Sequence, residues 1–103
     1  MNNINYQQIG VVLELFQKWE EKFKIYTINN GIEKSDDKRS LSNMASFLLK
    51  NSIINENNYF LIRSIIDLRN YFIHRLFLDD VDKINEITTS TKEKLEIAIE
   101  LFD

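Results

Sequence analysis

Residues 58–78 read NYFLIRSIIDLRNYFIHRLFL, with neither glycine nor proline. On an ideal helix advancing about 100° per residue, Leu61, Ile62, Ile65, Ile66, Leu68, Phe72, Ile73, Leu76 and Phe77 fill an apolar arc about 180° wide. The pattern predicts a helix from about Asn58 to Leu78, the most apolar segment of the chain. Arg63, Asp67, Asn70 and His74 fall in one polar stripe within about 60° of each other. Arg69 breaks the pattern, projecting near the middle of the apolar arc between Leu76 and Ile62. A lone buried charge costs several kcal/mol, so Arg69 must find a carboxylate, a phosphate or a route to solvent. One answer is an ion pair with an acid from another helix, or snorkelling at a dimer seam. The other is an arginine placed to hold a phosphate, whose geometry suits the planar guanidinium fork. Periodicity alone leans to the ion pair.

The flanking sequence builds a bundle around this helix. With no proline and two glycines in 103 residues, few breaks interrupt the chain. Ile9, Val12, Phe16, Trp19, Phe23 and Tyr26 recur at steps of three and four, predicting a helix from about Ile4 to Ile28. Asn29-Asn30-Gly31 then forms a left-handed stop, and residues 29–39, NNGIEKSDDKR, read as a polar loop and the most mobile segment. Ser40 should cap a short helix running to about Lys50, with Leu41, Met44, Ala45, Leu48 and Leu49 inward. Asn51 to Asn58 reads as a connection. Asp79 or Asp80 should cap a last helix with the stripe Val81, Ile84, Ile87, Leu95, Ala98 and Phe102. The weaker helix formers Thr88-Thr89-Ser90-Thr91 interrupt that stripe. The expected fold is all-α, a single domain over residues 1–103 with four helices, one of them short.

Composition narrows the functional classes. The absence of cysteine removes disulfides, thiolate metal sites and a cysteine nucleophile, and fits a reducing, cytoplasmic setting. One histidine per chain means that a multi-histidine metal site would need several subunits, so no metal or other cofactor is expected. No apolar run is long enough to span a membrane, and the start, MNNINYQQIG, lacks the basic and apolar regions of a secretory signal. Net charge is −3, which argues against coating nucleic acid by bulk attraction. The charge is unevenly placed. Residues 59–78 hold three of the four arginines against one aspartate, whereas residues 79–103 hold eight acids against three lysines.

His74 is the one side chain suited to proton transfer near neutrality. Asn70, one turn earlier on its face, could fix the ring tautomer, and Asp67 lies two turns back. Arg69 and His74 stand about 140° apart around the helix, so one helix cannot easily converge them on one atom. Two copies packed antiparallel about a two-fold axis could bring both pairs into a shared cleft.

Asp67-Leu68-Arg69-Asn70-Tyr71-Phe72-Ile73-His74-Arg75-Leu76-Phe77 resembles the signature of HEPN domains, an Arg followed by a polar residue and, after four to six residues, a His. Arg69, Asn70 and His74 match it with a four-residue gap, and the segment from Leu41 to Asn58 resembles what leads into the motif in bacterial members. The resemblance implies a homodimer with both Arg–His pairs in a shared groove. It also implies a metal-independent endoribonuclease of toxin–antitoxin or phage-defence type, with RNA as substrate and an antitoxin or regulatory protein as a further partner. Arg69 and His74 would then be catalytic, Arg69 on the scissile phosphate and His74 as general base or acid. Asn70 would orient the His or touch phosphate, and Arg63 and Arg75 would be auxiliary phosphate contacts. One departure is Leu76, which stands where toxins paired with nucleotidyltransferase antitoxins commonly carry a modifiable tyrosine. Tyr71 sits inside the motif about 60° off the His face and reads better as a packing aromatic. The competing expectation is an inactive HEPN-like dimeric module that binds an antitoxin-like or inhibitor protein. A DNA-binding role fits least, for no helix-turn-helix pattern is legible.

Overall fold

The computed structural model describes residues 3–32 and 40–102. These residues form four α-helices and one 3₁₀ turn, with no β-strand among them: α1 (Tyr6–Asn29), α2 (Leu41–Lys50), α3 (Glu56–His74), the 3₁₀ turn Leu76–Leu78 and α4 (Val81–Glu100). Part of the loop expected over 29–39 lies outside the described residues.

Each helix begins on a side-chain cap that satisfies an otherwise orphaned N–H. Asn5, Ser40, Asn55 and Asp80 accept from the backbone N–H of Gln8, Asn43, Asn58 and Lys83 respectively. The Asn55 cap starts α3 two residues before the expected Asn58. α1 ends as its sequence suggests. Gly31 adopts φ 112°, Ile32 N–H donates to the Thr27 carbonyl, and Gly31 N–H to that of Ile28. Only a residue tolerant of positive φ closes this double turn cheaply. α2 closes in the same way through Ile53 N–H to Leu48 and Ser52 N–H to Leu49, but here Ser52 takes the left-handed position, φ 57°.

The three long helices run up, down and up. α3 is antiparallel to α1. Phe72 packs edge-on against Phe16 with ring centres 5.5 Å apart, and Phe77 lies beside Tyr6. α4 runs parallel to α1. Near its start the Asn85 side chain takes the Asn5 N–H and donates to the Asn3 carbonyl, while at its far end Phe102 packs on Trp19, Phe23 and Tyr26. α2 leans on α3 and closes one end. The buried core includes Val12, Phe16, Trp19, Phe23, Met44, Leu48, Ile62, Ile65, Phe72, Ile84 and Leu95. It consists largely of the predicted stripes.

Two further details differ from the sequence pattern. The third helix stops at His74 rather than Leu78. The chain tightens into the 3₁₀ turn, which keeps Leu76 buried, exposes Phe77 and Leu78, and lets α4 begin on Asp80. The Tyr71 hydroxyl donates to the Asp79 carboxylate and pins this corner. In α4 the stretch 88–91 does not interrupt the buried face. Thr88 and Thr91 are both buried, and the Thr88 hydroxyl donates to the Ile84 carbonyl one turn back, so a polar group sits in the core without losing its bond.

Candidate functional site

The bundle covers less of α3 than its apolar arc spans. Ile73 and Phe77 remain 52% and 59% exposed, beside exposed Leu13 and Tyr6 of α1. Arg69 emerges on this α1 side of the helix. Its Nε lies 3.4 Å from Oε2 of Glu20, and Lys24 Nζ lies 3.6 Å from the other oxygen, Oε1, of the same carboxylate. The misplaced charge inferred from periodicity therefore has an acid from another helix, reached across the antiparallel α1–α3 seam.

The pairing is loose. A guanidinium–carboxylate contact at full strength is about 2.7–2.9 Å and often doubled, and here a single longer contact engages only the inner nitrogen. No hydrogen bond engages the terminal amino groups of Arg69 among the described residues. The Arg69 side chain keeps 32% of its surface in solvent and Glu20 23%. Both border a pocket of about 290 Å³ formed by Glu20 and Lys24 of α1, Ser40 and Ser42 at the head of α2, and Ile66, Arg69 and Asn70 of α3.

His74 occupies a second, neighbouring place. It is the exposed last residue of α3 and lines an open depression of about 350 Å³ with Asp67, Asn70, Tyr71 and Arg75. Asn70 borders both pockets, so the Arg69 side and the His74 side meet at this residue. Within one chain the two open on different faces of α3, as their angular separation requires. Arg75 is the C-cap of α3 and exposed, Asp67 is exposed on the same stripe as His74, and Arg63 lies one turn before Asp67, half-buried and without a described partner. Tyr71 is half-buried, its hydroxyl committed to Asp79, which makes it part of the corner that positions His74.

Sequence reasoning did not single out Glu20, Lys24 or Ser42. Glu20 and Lys24 carry a weak signal, an i,i+4 acid–base pair at the edge of an otherwise apolar stripe. Ser42 carries none. Among the described residues no three His, Cys, Asp or Glu side chains gather as a metal site, and no helix is long and apolar enough to cross a membrane. Compared with known proteins, the chain matches no family model, no curated protein and no solved structure.

Proposed function

We propose that this chain is a HEPN-type, metal-independent endoribonuclease that works as a homodimer in the cytoplasm, as a toxin or phage-defence effector cutting single-stranded or tRNA-loop RNA. The observation carrying this reading is the placement of Arg69 and His74 on either side of Asn70, both reachable from solvent, at the end of α3 that also exposes Ile73 and Phe77. A second copy packed there would bury those apolar side chains and set one chain's Arg69 side toward the other's His74 side.

In this mechanism His74 removes the proton of the 2′-hydroxyl, and the resulting oxygen attacks the adjacent phosphorus. The bond from phosphorus to the 5′-oxygen breaks, leaving a 2′,3′-cyclic phosphate and, once the leaving oxygen is protonated, a 5′-hydroxyl. Arg69 offsets the charge that builds on the phosphoryl oxygens. Asn70 steadies the imidazole, and Arg63 and Arg75 hold flanking phosphates. Purified chain incubated with RNA in EDTA tests this, with Arg69→Ala and His74→Ala each expected to abolish cleavage. Cleavage that survives both substitutions, or that requires a metal ion, refutes the mechanism.

One observation favours a second reading. Because Arg69 does pair with Glu20, the chain could instead be an inactive dimeric module that binds an antitoxin-like or inhibitor protein, with Arg69 serving the bundle alone. That reading requires no cleavage of any RNA and a marked loss of stability in Arg69→Ala.

A further inference from the structure

The first half of α3 carries an aromatic side chain that the bundle does not use. Phe60 is 64% exposed, and its one ring contact among the described residues is the neighbouring Tyr59, with centres 5.8 Å apart. Tyr59 packs against the core and the Asn55 cap holds the first turn, so Phe60 projects from a fixed stretch of helix rather than a fraying end. Around the helix axis Phe60 stands about 40° from His74, and along it about 21 Å away. It stands about 140° from Ile73, the side proposed for a second copy, and so stays open in that dimer. On the same stripe Glu56 lies one turn before Phe60, and Arg63 and Asp67 one and two turns after it. Two acids to one arginine make this end of the stripe poor ground for a run of phosphates. An uncharged planar group meets no such repulsion, and it covers an aromatic face that is otherwise left in water.

We propose that Phe60 is a stacking platform for one base of the RNA strand, a few nucleotides from the phosphate that is cut. The proposal rests on the ribonuclease reading for its ligand, and adds what holds the strand at a distance from His74. Stacking suits a single strand, whose bases are free to splay out, and excludes a duplex, whose bases are already paired and stacked. Every base has a π-face, so the contact tolerates any sequence, with a purine favoured for its larger face. Affinity then depends on length. A strand that reaches from His74 to Phe60 is held by the platform, and a dinucleotide is not.

The test uses the full chain and a short single-stranded uridine RNA carrying one 2-aminopurine, a base whose fluorescence falls when it stacks. Every 2′-hydroxyl of this RNA is methylated, so that it cannot be cut. The expected result is saturable quenching by the wild type. Phe60→Ala should weaken binding about five- to a hundredfold, as loss of one base–aromatic stack does. Phe60→Leu, apolar but without a π-face, should weaken it similarly, whereas Phe60→Trp should keep the wild-type affinity. All three should keep the wild-type denaturation midpoint, because the ring is exposed. In cleavage of an unmodified RNA, Phe60→Ala should raise KM by the same factor and leave kcat unchanged, with no effect on a dinucleotide. The binding assay needs no cleavage, so a wild-type chain that binds with this dependence on Phe60 but cuts nothing refutes the ribonuclease reading alone. Absence of quenching, equal affinity in Phe60→Ala, or wild-type affinity in Phe60→Leu overturns the proposal. So does a change of oligomeric state in Phe60→Ala, which would assign the ring to a second copy.

Discussion

How strongly Glu20 holds Arg69 decides whether the arginine is available to a phosphate, and a double-mutant cycle over Glu20→Ala and Arg69→Ala measures it. The contact is single, 3.4 Å long, and between side chains 32% and 23% exposed, with Lys24 drawing on the same carboxylate. Pairs of this kind couple by about 0.2–1 kcal/mol, against about 3–5 kcal/mol lost when one partner is removed from a buried ion pair. We expect a coupling energy of at most about 1 kcal/mol from urea denaturation of the four proteins at one fixed concentration. Arg69→Ala alone is less telling, because it also strips the packing of the arginine stem near Leu13 and Ile73. Releasing Arg69 from a coupling of about 1 kcal/mol would weaken phosphate binding only about fivefold. A measured coupling of about 3 kcal/mol would weaken it more than a hundredfold. That result would refute the argument that Arg69 is available and would favour the structural module.

Three further substitutions probe other parts of the account. Ser52 takes a left-handed conformation that costs a residue bearing Cβ about 1–2 kcal/mol, so Ser52→Gly should stabilise the chain by a net 0.5–1 kcal/mol or so, read as a higher denaturation midpoint. Phe72→Ala removes a buried ring packed edge-on against Phe16 and should cost about 3–5 kcal/mol in the same assay. Ile73→Asp places a charge on the exposed face proposed for a second copy; if that dimer forms, the substitution should shift the species seen by light scattering to monomer while the helical circular dichroism stays unchanged.

The helices were legible because α1, α3 and α4 carry one apolar residue every three to four positions with nothing to break them, and because Ser40 and Asp80 announce their caps. The end of α3 was not. Leu76, Phe77 and Leu78 are equally apolar in an α-turn or a 3₁₀ turn, and what selects the latter is tertiary, the buried seat of Leu76 and the bond from Tyr71 to Asp79. Thr88 and Thr91 misled the pattern for a related reason. Thr88 returns its hydroxyl bond to its own helix and packs as a small apolar residue. Thr91 is buried on the same face although its hydroxyl has no hydrogen-bond partner among the described residues, so low propensity did not mark a break in the buried face. At the site, the anomaly of Arg69 was readable from one helix, but its partner was not. Several acids on α1 are equivalent in sequence, and only the antiparallel register that sets Phe72 on Phe16 brings Glu20 alongside Arg69.

The central claim is that His74 moves the proton in an RNA-cutting groove. Its most direct test is to compare the wild-type chain with His74→Ala on a single-stranded RNA in EDTA and determine the termini of the products. The account predicts 2′,3′-cyclic phosphate and 5′-hydroxyl ends from the wild type, formed at least about a hundredfold more slowly by the variant. Equal rates in the two proteins, or products ending in a 3′-hydroxyl, would contradict it.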